Sequence, residues 1–293
     1  MIHITDRPSQ SIASQSLWAE PGSNWRRGYP PLYSSPVSEA QFQLLRGAGF
    51  IAAVALAALL QRLRPHARLQ GSWQVNGGLW FANLIVIGFV CGACACTVAR
   101  WAAGARFGVL NAVAVPRWFA IATTLVALDL VSYGWHRANH RIPFLWRFHQ
   151  VHHSDPTFTA STGVRFHPGE LLLSLPVRLT AVALVGASAE AVVLFEVVFT
   201  VANLLEHSDI DLPLRFERTL GRVGITPALH RRHHTKLGPD RDSNFGTIFS
   251  TWDRLLGTYL GNDSATAIET GLPGFDKLTL PRALVLPLQR TAA

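Results

Sequence analysis

Apolar residues in this chain are gathered into long blocks, and no other feature restricts its fold as much. The blocks are AGFIAAVALAALL at 48–60, GGLWFANLIVIGFVCGACACTVA at 77–99, WFAIATTLVALDLVSYGW at 118–135 and LLLSLPVRLTAVALVGASAEAVVLFEVVFTVANLL at 171–205. A helix that crosses a bilayer needs about 20 predominantly apolar residues. The first block is short unless its flanks contribute, and the second and third are long enough. The fourth exceeds one crossing and suits two helices of about 25 Å each, with Gly186 as the turn between them. Arg178, Glu190 and Glu196 interrupt that block, and ionisable groups at membrane depth usually point into the bundle.

Composition agrees. Only 15% of the 293 residues are charged, against about a quarter in a soluble domain. The net charge of +8 is not accompanied by a zinc-finger, helix-turn-helix or RNA-binding pattern. Arginines beside apolar blocks fit anionic lipid headgroups, so the basicity points to a membrane and not to nucleic acid. The three cysteines sit in CGACAC (Cys91, Cys94, Cys96), where small residues let helices approach closely. GAGFIA (Gly47 to Ala52) has the outline of a dinucleotide-binding turn but follows no strand and opens an apolar run. The first long apolar run begins too late for a secretory leader.

The expected fold is all-α: a polytopic membrane bundle of about four spans, one of them a helical hairpin, under a histidine-rich helical cap. Residues 1–45 read as a polar, irregular arm that lays Trp18, Trp25, Arg26 and Arg27 on the headgroups. Residues 46–116 carry two membrane helices. Residues 117–262 hold the third span, the hairpin and the cap, and residues 263–293 form a loop-rich tail.

Ten of the twelve histidines fall between 136 and 234. HRANHRIPFLWRFHQVHHS contains His136 and His140, four apart, and then His149, His152 and His153 at i, i+3 and i+4. LHRRHH repeats that spacing with His230, His233 and His234. On a helix such offsets share one face, and neutral imidazole is the commonest metal ligand. Pro143 should end the helix that carries His140, and a new one can start near Phe144 with the second cluster. Histidine-rich segments flank the fourth block, and if they build one site the chain must leave and return on one membrane face. Arginine counts in the loops do not choose that face; the cytoplasmic side has the reductants.

Eight imidazoles are too many for one tetrahedral zinc and suit two ions with open positions. Imidazole binds Fe, Zn, Cu and Ni, so the ligand type leaves the metal open. H-E-x-x-H, G-x-S-x-G, Walker and haem-attachment patterns are absent, as is any E-x-x-H. Electrons for redox chemistry must therefore come from a separate partner. Two other classes fit a histidine-rich membrane protein. A metal-binding or transport protein would keep ligands near mid-membrane, and a di-zinc hydrolase would want carboxylate ligands and a base.

From Asp129 to about Tyr259 the chain resembles the fatty acid hydroxylase/sterol desaturase superfamily of membrane di-iron enzymes. The resemblance rests on DLVSYGWHRANHRIPFLWRFHQVHHS, RFHPGE, EHSDI, LHRRHH and SNFGTIFSTWDRLLGTY. It implies two Fe ions (Zn being a possible occupant after purification), O2 as co-substrate and a lipid whose C–H bond is hydroxylated or desaturated. It also implies an external electron donor: a cytochrome b5-like protein, a ferredoxin or a reductase. Carried over, His136, His140, His149, His152, His153, His230, His233 and His234 are ligands and His207 is a ninth. His167 is either a ligand or a supporting residue. Asp129 and Glu170 are candidate acceptors that fix imidazole tautomers. Asn244 either caps the turn after the third cluster or orients a ligand. Where the family often shows H-x-N, this chain has His207-Ser208-Asp209, so Asp209 brings a charged acceptor to that position.

Overall fold

A computed structural model of the chain describes residues 38–66, 72–86, 94–236, 238–261 and 268–289. The expected role of the N-terminal arm, with Trp18, Trp25, Arg26 and Arg27, lies outside these residues, as does Cys91. The first helix, α1 (Glu39–Leu63), begins before the first apolar block because Ser38 and Gln41 close a reciprocal capping box. Flanking residues thus lengthen the short block to 25 residues, about 37 Å of helix. The second block yields α2 (Trp73–Val86) and α3 (Cys94–Gly104), and the stretch between them is outside the described residues. Cys96 packs in the apolar core beside Leu128, Val182 and Phe195.

A short turn, α4 (Val109–Ala112), leads to α5 (Arg117–Arg141). The chain bends at Ile142, and α6 (Pro143–His153) starts with its proline at the first helical position. There the missing N–H breaks no hydrogen bond. The fourth block folds as the expected hairpin: α7 (Pro168–Val185), Gly186 in the left-handed region at φ 72°, and α8 (Ala189–Glu206) capped by Ser188. Pro176 stays inside α7. Among the described residues, three helices are long and apolar enough to cross a membrane: α1 (from Gln43), α5 and α7. The acids Glu190, Glu196 and Glu206 set α8 apart from these.

Large apolar side chains such as Ile51, Leu59, Phe81, Trp118, Val126 and Leu184 stay exposed around this bundle. An apolar surface of that extent fits lipid rather than water. The chain is an all-α membrane-type bundle, and its described strand-like contacts are isolated bridges.

Beyond α8 lies a cap of short helices: α9 (Leu214–Leu220), α10 (Pro227–His233) and α11 (Thr251–Leu255). The C-terminal segment is more ordered than its prolines suggest. It forms α12 (Leu280–Val285) and packs Leu278, Ala283 and Leu286 against Val75, Leu79 and Val151. Those apolar contacts clamp α2 to α6, the helix with three histidines.

Gly108, before α4, has φ 93° and ψ 158°, a region nearly closed to side chains. A Cβ there would stand 2.3 Å from the carbonyl oxygen of Ala183 and 2.4 Å from Gly186 N. Gly108→Ala should therefore destabilise the hairpin turn by at least about 1–3 kcal/mol. Thermal unfolding in detergent checks this, and an unchanged midpoint would contradict the packing.

Candidate metal centre

Four helices deliver imidazoles to one region. The last turns of α5 carry His136 and His140, α6 carries His149, His152 and His153, and His207 caps the end of α8. His230 and His233 lie on α10, and His234 follows as its cap. They fall into two adjoining groups whose candidate ligand atoms lie within 4.8 Å of one another. One holds His136, His140, His149, His153 and His233, and the other His152, His207, His230 and His234. The rings of His153 and His234 stack at 4.3 Å where the groups meet.

The donor atoms suit metal ions. Facing ring nitrogens are 3.0 Å apart in His140–His153, 3.1 Å in His152–His207 and 3.0 Å in His207–His230. Two imidazoles at right angles about one ion, each about 2.1 Å from it, would show about 3.0 Å. Ring nitrogens of His136, His149, His152, His153, His230, His233 and His234 are buried with no hydrogen-bond partner, and in His234 both are. A buried polar atom without a partner costs roughly 1–3 kcal/mol, so this many together suit a site that binds an electrophile. These groups could hold two ions.

Carbonyl and carboxylate acceptors decide which nitrogen faces inward. His136 donates from Nδ1 to the Phe245 carbonyl at 2.9 Å, His207 to Asn203 at 2.7 Å and His233 to Ser243 at 2.7 Å. A carbonyl only accepts, so Nδ1 carries the proton in each ring and the Nε2 lone pair is left for a ligand. Glu170 does the same for His149 at 2.9 Å and also accepts from Asn139. Asp242 stands 3.5 Å from His140 Nδ1. Glu206, buried, lies 3.8 Å from His207 Nδ1 and 3.9 Å from His230 Nδ1. Sequence reading passed over Glu206 and Asp242. An acid ending an apolar run immediately before His207 was a usable sign of the first. The carbonyls leave no trace in side-chain identity.

The other sequence candidates sit elsewhere. His167 is in neither group: Nδ1 accepts from Gly169 N at the start of α7, and Nε2 donates to the Leu284 carbonyl. Both of its nitrogens are engaged, Nδ1 in capping α7 and Nε2 in joining it to the C-terminal segment. Asp129 accepts from Ile248 N, Phe249 N and Trp252 Nε1. It thus anchors to α5 the loop whose Phe245 carbonyl holds His136. Asp253 braces the same loop through Phe245 N and Gly246 N. Asn244, with φ 53°, caps the turn by bonding the backbone of Leu229 and Leu260. Asp209 pairs with Arg231 at 3.3 Å, linking the segment after α8 to α10.

Below the histidines, faces of α5, α7 and α8 enclose an open-sided cavity. Leu128, Val131, Val182, Val192 and Phe195 make its walls apolar, while His136, His149, His152, His207 and His230 form its upper end. A second, more polar opening by Trp146, Arg241 and Asp242 reaches His140 from the cap.

Residues 121–258 match the fatty acid hydroxylase family. That stretch is a fatty acid hydroxylase domain. Among the chain's relatives is ornithine lipid hydroxylase OlsE of Rhizobium tropici. That protein is 28% identical over 242 residues, 77% of this chain and 70% of the relative. Cholesterol 25-hydroxylase of Rattus norvegicus is 30% identical over 137 residues, 46% of this chain and 44% of the relative. Alkylglycerol monooxygenase of Danio rerio is 31% identical over 137 residues, 46% of this chain and 29% of the relative. The chain thus spans less than half the length of the last two. No solved structure matches it. All nine clustered histidines lie inside the fatty acid hydroxylase match.

Two outcomes test the centre. Glu170→Leu, which strips His149 of its acceptor, should weaken metal retention roughly 10- to 100-fold in a chelator competition; unaltered retention would rule Glu170 out as its support. Burial, reinforced by His149, lowers His233 from 6.5 to about 3, and burial lowers His207 to about 4. The unfolded chain then takes up protons below pH about 6.5 that the folded chain refuses. Metal-free protein should lose stability progressively as pH falls from 6.5 towards 4, read by chemical denaturation across that window. Stability that is flat or rises on acidification would contradict neutral burial.

Proposed function

We propose that the chain is an integral-membrane oxidoreductase that uses O2 and external electrons to hydroxylate a lipid C–H bond at two irons. His136, His140, His149, His153 and His233 hold one ion; His152, His207, His230 and His234 hold the other. The observation that carries the reading is the joining of two imidazole groups to the end of an apolar cavity inside a membrane-type bundle. The hydroxylase and monooxygenase relatives support the reaction class.

When bound, iron supplies O2 activation and the electron transfers that no protein side chain provides. One oxygen atom enters the C–H bond and the other leaves as water, with two electrons from the donor and two protons. The chain supplies placement. Walls from α5, α7 and α8 hold the lipid chain, and Leu128, Val192 and Phe195 keep water from it. Glu170 and the carbonyls of Phe245, Asn203 and Ser243 hold rings so that nitrogen lone pairs converge. The polar opening at Trp146 and Arg241 lies on the aqueous side of His140 and suits approach of the electron donor. The supply of reductant favours the cytoplasmic side for this cap.

Anaerobically purified protein should contain two irons per chain. With a reductant and a lipid panel under 18O2, it should return product carrying one labelled oxygen. Replacing His149, His152 and His153 together by alanine should abolish turnover and metal binding. Product formed without O2, or full activity in the triple variant, would overturn the proposal.

A further inference from the structure

The cavity wall contains a charged cluster that the metal centre does not use. Arg178 of α7 and Glu196 of α8 both line the cavity, with Arg178 Nη2 3.5 Å from Glu196 Oε1. From outside, Arg46 of α1 reaches the other oxygen of Glu196 at 2.7 Å. The ion pair Arg117–Glu190 marks the far end of the bundle. Counted along α8, Glu196 lies about 9 Å inside that level and about 15 Å below Glu206. The cluster therefore sits at membrane depth, on the path from the apolar end of the cavity to the histidines.

Its charges do not balance. Two guanidinium groups share one carboxylate, which leaves one positive charge. Glu196 spends its closer contact on Arg46, so Arg178 has the longer contact and the exposed side chain, 47% accessible against 13% for Glu196. An uncompensated cation in a low-dielectric surrounding is costly unless a partner anion completes it. Among the described residues no further acid is paired with Arg178. A guanidinium also presents a planar fork of donors matched to carboxylate and phosphate.

We infer that Arg178, backed by Glu196 and Arg46, is the binding site for the anionic group, carboxylate or phosphate, of the lipid that occupies the cavity. The inference deepens the hydroxylase reading and rests on it for the identity of the cavity. A lipid anchored at Arg178 has its reacting carbon about 15 Å from the anionic group by helix rise. Oxygen then enters far along the chain and not beside the carboxylate or phosphate. Glu196 has a negative role here: held by Arg46, it weakens the field that Arg178 offers and so tunes affinity.

Equilibrium binding of a radiolabelled long-chain fatty acid and of its methyl ester tests this without turnover. Full-length protein is used in phosphatidylcholine nanodiscs above neutral pH. The acid should bind roughly tenfold or more tighter than the ester, and Arg178→Gln should erase that difference while leaving ester binding intact. Glu196→Gln should tighten binding of the acid, whereas a purely structural ion pair would loosen it. Arg178→Lys keeps the charge and should keep a preference for the acid, which covers the case in which the glutamine variant does not fold. Equal binding of acid and ester by the wild type overturns the inference and leaves the hydroxylase reading standing; failure of both to bind overturns both. If Arg178 serves the bilayer's own anionic lipid, Arg178→Gln will lower retained phosphatidylglycerol in mixed nanodiscs with acid and ester bound alike, and the inference falls.

Discussion

Nine imidazoles packed into one dry region repel protons and leave lone pairs without partners, and much of the surrounding architecture answers that constraint. Protonating a buried ring beside several others is doubly unfavourable, since burial and mutual repulsion act in the same direction. Burial thus favours the neutral form of His136, His140, His152, His153, His207, His230, His233 and His234, each with one donor nitrogen and one lone pair. Every donor then needs an acceptor on the outside of the cluster, and every lone pair needs an electrophile on the inside. The structure meets the first demand for five rings: Glu170 serves His149, the carbonyls of Phe245, Asn203 and Ser243 serve His136, His207 and His233, and Asp242 stands 3.5 Å from His140. Metal ions would meet the second.

The loop at 243–250 shows how far that demand reaches. Its carbonyls orient His136 and His233, so its own position must be fixed to fractions of an ångström. Asp129 reaches it from α5, Asp253 from α11, and Asn244 ties it to the backbone of α10 and Leu260. None of these three touches a ring nitrogen directly, yet each determines where a ring points. Arg165 plays the corresponding part below α6. Almost wholly buried, it bonds the Val151 carbonyl, Ser154 and Asn76, and so secures the end of the helix that carries three histidines.

The apolar cavity and the polar opening meet the centre from opposite sides, one through the bundle and one through the cap. This separation follows from the placement of the imidazoles on helix ends. The last turn of α5 and the cap of α8 put rings at the level where the apolar walls stop. The bundle side is walled by Leu128, Val192 and Phe195, whereas the cap side is lined by Trp146, Arg241 and Asp242.

Much of this was already present in the order of residues. The apolar blocks dictated a helical membrane-type bundle, because a buried or lipid-facing backbone must satisfy its own hydrogen bonds. Gly186 and Pro143 marked the hairpin turn and the α5–α6 bend through local backbone restrictions, and the i, i+3, i+4 spacing put the histidines of each segment on one face. Those are short-range properties, and short-range physics is what a sequence displays. Tertiary structure alone decided the rest: the division of nine imidazoles into two groups, the engagement of His167 by Gly169 and Leu284 outside both, and the meeting of Arg46, Arg178 and Glu196 across three helices. Each of these depends on distances between residues far apart in the chain, set by how whole helices pack. Backbone carbonyls, which orient three of the rings, are the same at every position and become specific only when the chain is folded around them.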